Sequence, residues 1–198
     1  MQIHQGAQIE PYLAGLHAAF ELALANHSRI FVVRFDLHFS QHFDLPDIAV
    51  TNIAIQKFCN NLRYRLDRKD DMTRVERGRV NPHDMRFAWA REIGPDSGLP
   101  HYHVALLLNG DAYRSIGDYS DPEAPGLYRR LQEAWASAIR LDFDLAHGLV
   151  SVVPNGQWML HRGDDYALAN AFYACSYLCK AETKVFELGF HCFGTSRS

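Results

Sequence analysis

Residues 85–109 constrain the fold more than any other stretch of the chain. Met85 to Ile93 (MRFAWAREI) and Leu99 to Asn109 (LPHYHVALLLN) both read as β-strands, and the turn-rich Gly94-Pro95-Asp96-Ser97-Gly98-Leu99-Pro100 folds one back on the other as an antiparallel hairpin. Along a strand, residues i and i+2 share a face. His101 and His103 therefore point together, while Tyr102, Val104, Leu106 and Leu108 point the other way. That spacing suits two imidazole nitrogens closing on one divalent ion. A hydrogen-bonded histidine pair at a strand end is the competing reading. The hairpin favours the ion, because it sets Glu92, near the end of the first strand, beside His101 at the start of the second. Glu92, His101 and His103 form a mixed nitrogen and oxygen set that suits Mn²⁺, Mg²⁺ or Zn²⁺ and leaves positions open for substrate.

The rest of the chain alternates between helical and strand periods. Pro11 to Asn26 carries apolar residues at helical spacing, and Arg29 to Ser40 (RIFVVRFDLHFS) alternates Phe31, Val33, Phe35, Leu37 and Phe39 against Arg34, Asp36 and His38. Pro46-Asp47 opens a helix expected to run to about Arg68, burying Ile48, Ile55, Phe58, Cys59 and Leu62. A third helix is expected from Asp121-Pro122-Glu123 to about Arg140, with Leu127, Leu131, Trp135 and Ile139 inward. Gly148 to Pro154 and Gln157 to His161 read as short strands around an Asn155-Gly156 turn, and a last helix starts near Asp164-Asp165. This order, with no internal repeat, predicts one α+β domain over residues 1–198, a central antiparallel sheet with flanking helices.

Composition narrows the classes. The chain has 198 residues, 47% of them hydrophobic and 22% charged, which is the balance of a globular protein rather than a disordered one. Cys59, Cys175, Cys179 and Cys192 form no C-x-x-C pair and no regular framework, so free thiols in the cytoplasm are expected. No basic-then-apolar leader opens the sequence and no apolar run approaches the roughly 20 residues of a bilayer span, so no membrane partner is expected. The net charge of -3 argues against a non-specific nucleic-acid coat. Locally, however, Arg63 to Arg91 holds nine basic residues against five acidic ones. Arg74, Arg77, Arg79 and Arg91 are the candidate DNA contacts in that run, with solvated loop charge as the alternative for the first three.

The last helix carries a second constellation. At about a hundred degrees per residue, Tyr166, Asn170, Tyr173, Tyr177 and Lys180 fall on one stripe, and Leu168, Ala171, Phe172, Cys175, Leu178 and Cys179 on the opposite side. By itself such a stripe reads as packing. Combined with the hairpin, it resembles the HUH endonucleases. His101-Tyr102-His103 is similar to their His-hydrophobic-His motif, and Tyr173-Ala174-Cys175-Ser176-Tyr177-Leu178-Cys179-Lys180 to their two-tyrosine motif, with Tyr177-x-x-Lys180 the better-matched half. Arg34-Phe35-Asp36-Leu37, Trp89-Ala90-Arg91-Glu92 and Pro100-His101-Tyr102-His103 resemble, in that order, the replication initiators of inoviruses and their prophage relatives. Ser176 stands where the two-tyrosine pattern often has a lysine.

The resemblance implies an HUH/RRM-like fold and metal-dependent nicking of single-stranded DNA through a covalent phosphotyrosine, initiating rolling-circle replication. It implies Mn²⁺ or Mg²⁺ on Glu92, His101 and His103, Tyr177 as nucleophile, and Lys180 as its cation or a phosphate contact. Tyr173 is either a second nucleophile one turn away or a residue packed on the sheet edge. Host helicase and polymerase are the further candidate partners, since no G-x-x-x-x-G-K-[ST] loop is present to drive unwinding. Two other classes stay open: a non-catalytic, prophage-derived DNA-binding protein, and a metal-dependent phosphodiester hydrolase that uses activated water.

Overall fold

The strand patterns assemble into one sheet. In the computed structural model, which describes residues 6–42, 46–94, 97–121, 123–182, 184 and 190–196, the strands are β1 (Arg29–His38), β2 (Arg86–Ile93), β3 (Pro100–Asn109), β4 (Val150–His161) and β5 (Phe193–Thr195). They run antiparallel in the order β4-β1-β3-β2-β5. The helices are α1 (Glu10–Asn26), α2 (Ile53–Arg77), α3 (Leu127–Ile139) and α4 (Asp165–Cys175). The architecture is therefore α+β, as the order of periods predicts.

Alternation along the strands sorts side chains into two cores. Phe31, Val33, Phe35 and Leu37 of β1, with Tyr102, Val104, Leu106 and Leu108 of β3, meet α2 and α3 on one face. Ile30, Val32, Ala88, Ala90, Ala105 and Leu107 meet α1 and α4 on the other. The predicted inward residues of α3, Leu127, Leu131, Trp135 and Ile139, are all buried. Apolar alternation and amphipathic helices thus give three layers, with the sheet in the middle.

Three boundaries differ from expectation. The helix expected from Pro46 is a 3-10 turn (Asp47–Val50) followed by α2, because Thr51 is extended. Helix α2 runs past Arg68 because Leu66 and Asp70 stay buried there, and the Asp70 carboxylate accepts the His83 N–H at 2.8 Å. Gly78, at φ +69, then ends it in a left-handed cap that a side chain would strain. Helix α3 starts at Leu127, after Gly126, and Pro122 lies outside the described residues. The loop of the β2–β3 hairpin keeps its predicted place, with Pro95 and Asp96 likewise outside.

The segment 148–161 is a correction of larger kind. Asn155-Gly156 does not turn the chain back; it forms a bulge inside the single strand β4, where the register jumps from Val33↔Gln157 to Phe35↔Val152. Asn155 sits at φ +55, and a Cβ on Gly156 would meet the Val153 carbonyl oxygen at 2.7 Å. The Asn-Gly signal is real, but β1 pairs with both halves and absorbs it. The last helix also tightens: α4 ends at Cys175 and continues as a 3-10 turn (Ser176–Cys179). Strand β5, only three residues long, had no sequence signal.

Candidate metal and tyrosine site

The hairpin register places the proposed ligands as the sequence reading requires. Glu92 pairs with His101, and Ala90 with His103, across β2 and β3. His103 Nε2 lies 3.2 Å from Glu92 Oε2 and 3.2 Å from His101 Nε2, and His101 Nε2 lies 3.9 Å from Glu92 Oε2. One ligand atom from each of the three falls within 4.8 Å of the others. Two imidazole nitrogens and one carboxylate oxygen converging at a buried strand end form a donor set that fits a divalent ion. Glu92 and His103 are buried and His101 is half-buried, so one side of the group faces outward.

Two further side chains orient this group. Asp36, on the polar face of β1 and opposite His103 in the register, lies 2.6 Å through Oδ1 from His103 Nδ1. A carboxylate on Nδ1 holds the imidazole with Nε2 turned toward the other ligands. Lys184 Nζ donates to Glu92 Oε1 at 2.5 Å, leaving Oε2 toward the histidines. The alternation of Arg34, Asp36 and His38 marks Asp36 in the sequence, whereas nothing local marks Lys184.

The same neighbours set the protonation states. Burial pushes His103 down, but hydrogen bonding to Asp36 and Glu92 outweighs it, and its pKa is raised above the ordinary histidine value. Burial and the adjacent His103 lower that of His101. One imidazole therefore favours the proton and the other sheds it.

The 3-10 turn after α4 carries the tyrosine to this group. The Tyr177 ring stands edge-on to His103, with centroids 5.1 Å apart at 88°. Arg34 lies over that ring at 5.1 Å and Lys180 at 5.8 Å. Arg34 also donates from NH1 to the Ala174 carbonyl at 2.7 Å, tying the end of α4 to β1. Burial and Glu92 raise the Tyr177 pKa, while Lys180 and Arg34 oppose them. The phenol thus holds its proton at neutral pH.

Other predicted residues are dispersed. Tyr173 is 43% exposed on α4, one turn before Tyr177. Lys180 also pairs with Glu182 at 3.4 Å. Arg74, Arg77 and Arg79 are exposed at the C-terminal end of α2. That end lies near His83, whose carbonyl accepts from Asn109 at the far end of β3, and α2 covers the opposite face of the sheet from the histidines. Arg91 is buried on that same opposite face, donating to the Ala49 carbonyl at 3.3 Å. Arg34 and Lys180 lie against the Tyr177 ring instead, and Lys184 against Glu92.

Residues 1–196 match the family described as the YagK/YfjJ C-terminal domain. The chain belongs to the YagK/YfjJ C-terminal domain family. Within it, the chain is 29% identical over 202 residues to the uncharacterized protein YfjJ of Escherichia coli strain K12, covering 97% of this chain and 96% of that protein. It is 30% identical over 200 residues to the uncharacterized protein YagK of the same strain, covering 97% of this chain and 95% of that one. No solved structure matches this YagK/YfjJ-family chain. No helix among its described residues is long and apolar enough to cross a membrane.

Proposed function

We propose that the protein is a metal-dependent endonuclease of HUH type that nicks single-stranded DNA through a covalent phosphotyrosine and so initiates rolling-circle replication in the cytoplasm. The observation that carries this reading is the Tyr177 ring seated edge-on against His103, within the group that His103 forms with His101 and Glu92. A metal-binding group alone suits many hydrolases; a tyrosine brought to it from a separate helix suits covalent transfer.

When bound to Glu92, His101 and His103, Mn²⁺ or Mg²⁺ would polarise the scissile phosphate and offset the charge of its transition state. The chain's own residues supply the rest. The Tyr177 oxygen forms the new bond to phosphorus as the phenol gives up its proton, and the bond from phosphorus to the leaving sugar oxygen breaks to release a hydroxyl end. Arg34 and Lys180 flank the ring and favour the developing phenolate. In this reading Tyr173, exposed one turn before Tyr177, is the candidate for a second transfer from a strand that the first leaves attached. Helicase and polymerase would come from the host.

The test is incubation with labelled single-stranded DNA from the protein's own genetic neighbourhood, with Mn²⁺ or with EDTA, followed by denaturing electrophoresis. A metal-dependent adduct that disappears in Tyr177→Phe and persists in Tyr173→Phe is the expected result. Cleavage by Tyr177→Phe without an adduct would turn the reading to a hydrolase using activated water, and DNA binding without cleavage to a non-catalytic DNA-binding protein.

A further inference from the structure

Helix α2 outruns the core that supports it. Its last buried residue is Asp70, and none of residues 71–77 is buried. Those two turns are fixed by bonds within the helix: Thr73 Oγ1 donates to the Lys69 carbonyl at 2.8 Å, and Arg74 donates to the Asp71 carboxylate at 2.6 Å. Helices in proteins draw most of their stability from packing an apolar face, and a short stretch without one is marginal. The projecting turns do carry apolar side chains, but these point outward. Met72 is 57% exposed and Val75 is 87% exposed, and Tyr64, two turns before Met72 on the same side, is exposed as well.

Around Met72 the helix surface has a shape and a charge order that fit a second copy of itself. Arg68, Met72 and Glu76 follow at i, i+4 and i+8 and form a ridge. A hollow lies on either side of it, one of about 470 Å³ beside Asp71 and Val75 and one of about 330 Å³ beside Lys69, Thr73 and the α3 residues Arg130 and Glu133. A ridge entering the hollow of a neighbouring helix is the ordinary way that helices pack. This ridge reads basic, apolar, acidic. A two-fold axis beside Met72 therefore brings Arg68 of each copy to Glu76 of the other, with the two Met72 side chains between. Neighbouring charges are already taken, Arg65 by Glu133, Lys69 by Asp70 and Arg74 by Asp71. Among the described residues, Arg68 and Glu76 enter no ion pair; Arg68 donates to the Tyr64 hydroxyl at 3.4 Å. A nucleic-acid backbone fits this face poorly, because its phosphates would meet Met72, Val75 and the Glu76 carboxylate at the centre. An apolar centre ringed by charge is the anatomy of a protein interface.

We propose that the projecting end of α2 is a homodimer surface, on which two copies of this chain pair antiparallel about a two-fold axis beside Met72. Each copy then supplies the apolar cover that the other copy's helix end lacks, through the same patch on both. The inference is independent of the nicking reading. Helix α2 covers the face of the sheet opposite His101 and His103, so the pairing leaves both metal-and-tyrosine groups turned away from the interface.

Sedimentation velocity of the full chain over a concentration series tests the pairing. Wild type should dimerise with a Kd of about 10 µM or tighter. Glu76→Arg sets arginine against arginine, and Arg68→Glu sets glutamate against glutamate, so each should raise the Kd about tenfold or more. The double variant Arg68→Glu with Glu76→Arg restores opposite charges in the two-fold register and should return the Kd to within about threefold of wild type. Both positions are exposed, so circular dichroism should find the helix content of all three variants unchanged. A wild type that stays monomeric throughout the series, a dimer that the single variants leave intact, or a double variant as weak as the singles overturns the pairing. A monomeric wild type whose retention of labelled duplex DNA falls in Arg68→Glu would overturn it too, and give the face to nucleic acid.

Discussion

At the scale of single residues, the site depends on what stands behind its ligands. Asp36 reaches His103 Nδ1 and no other proposed ligand, so it decides which nitrogen of that ring faces the group. Outer-shell partners of metal-binding histidines are worth about 10–100-fold in affinity. Asp36→Ala should therefore weaken Mn²⁺ binding by about that factor in a calorimetric titration, whereas Tyr177→Phe should leave it within about twofold; equal affinity in wild type and Asp36→Ala would refute the orienting role. Protons compete for the same nitrogens. Because His103 is held above the ordinary histidine value of 6.5, wild-type affinity should begin to fall on the alkaline side of that value as pH is lowered. In Asp36→Ala the fall should begin at a lower pH.

At the scale of elements, junctions matter more than interiors. Asp84 sits at φ +41 just before β2 and ties it to the end of α1, 2.8 Å from His27 Nε2 and accepting from Asn26 Nδ2 at 3.2 Å. Partial burial pushes its carboxyl up, but the bonds from Asn26 and His27 and the charge of Arg86 outweigh it and hold the pKa below the ordinary 3.8. A depressed carboxylate contributes stability that is present above its unfolded pKa and is lost as pH falls through the folded one. Asp84→Asn keeps a side chain tolerant of left-handed backbone, so it isolates the charge. Urea denaturation should find it less stable than wild type at pH 7, with the gap closing as pH drops below 3.8; a gap of constant size would show that the carboxylate charge is not what ties the junction.

At the scale of the whole molecule, the two cores serve different ends. The α1/α4 core lies on the face that carries Glu92, His101, His103 and Tyr177, and the α2/α3 core supports the strands from behind. Trp135 of α3 joins the second core to the site: it is fully buried, and its indole N–H donates to the His38 carbonyl at 2.7 Å, at the end of β1. Trp135→Ala should cost about 3–5 kcal/mol in chemical denaturation, the usual loss for a large buried aromatic. A loss under about 1 kcal/mol would mean that the layers hold together without it. The arginine-rich C-terminal end of α2 likewise lies on the far face from the histidines.

What the sequence alone determined is what local periodicity can encode. Period-two alternation sorted β1 and β3 into their faces, the hairpin turn set Glu92 beside His101, and helical spacing separated Tyr166 and Tyr173 from the apolar face of α4. Each of these depends on neighbours within a few residues, which backbone geometry fixes. The tertiary structure decided the rest. Asn155-Gly156 became a bulge because β1 is long enough to pair on both sides of it, a fact about another segment. Arg34 reached Tyr177 from 143 positions earlier, and Lys184 reached Glu92 across 92. Buried charge is tolerable only when paired. Which cation pairs with which carboxylate, and which tyrosine meets which histidine, follows from how the layers stack, and that no single segment contains.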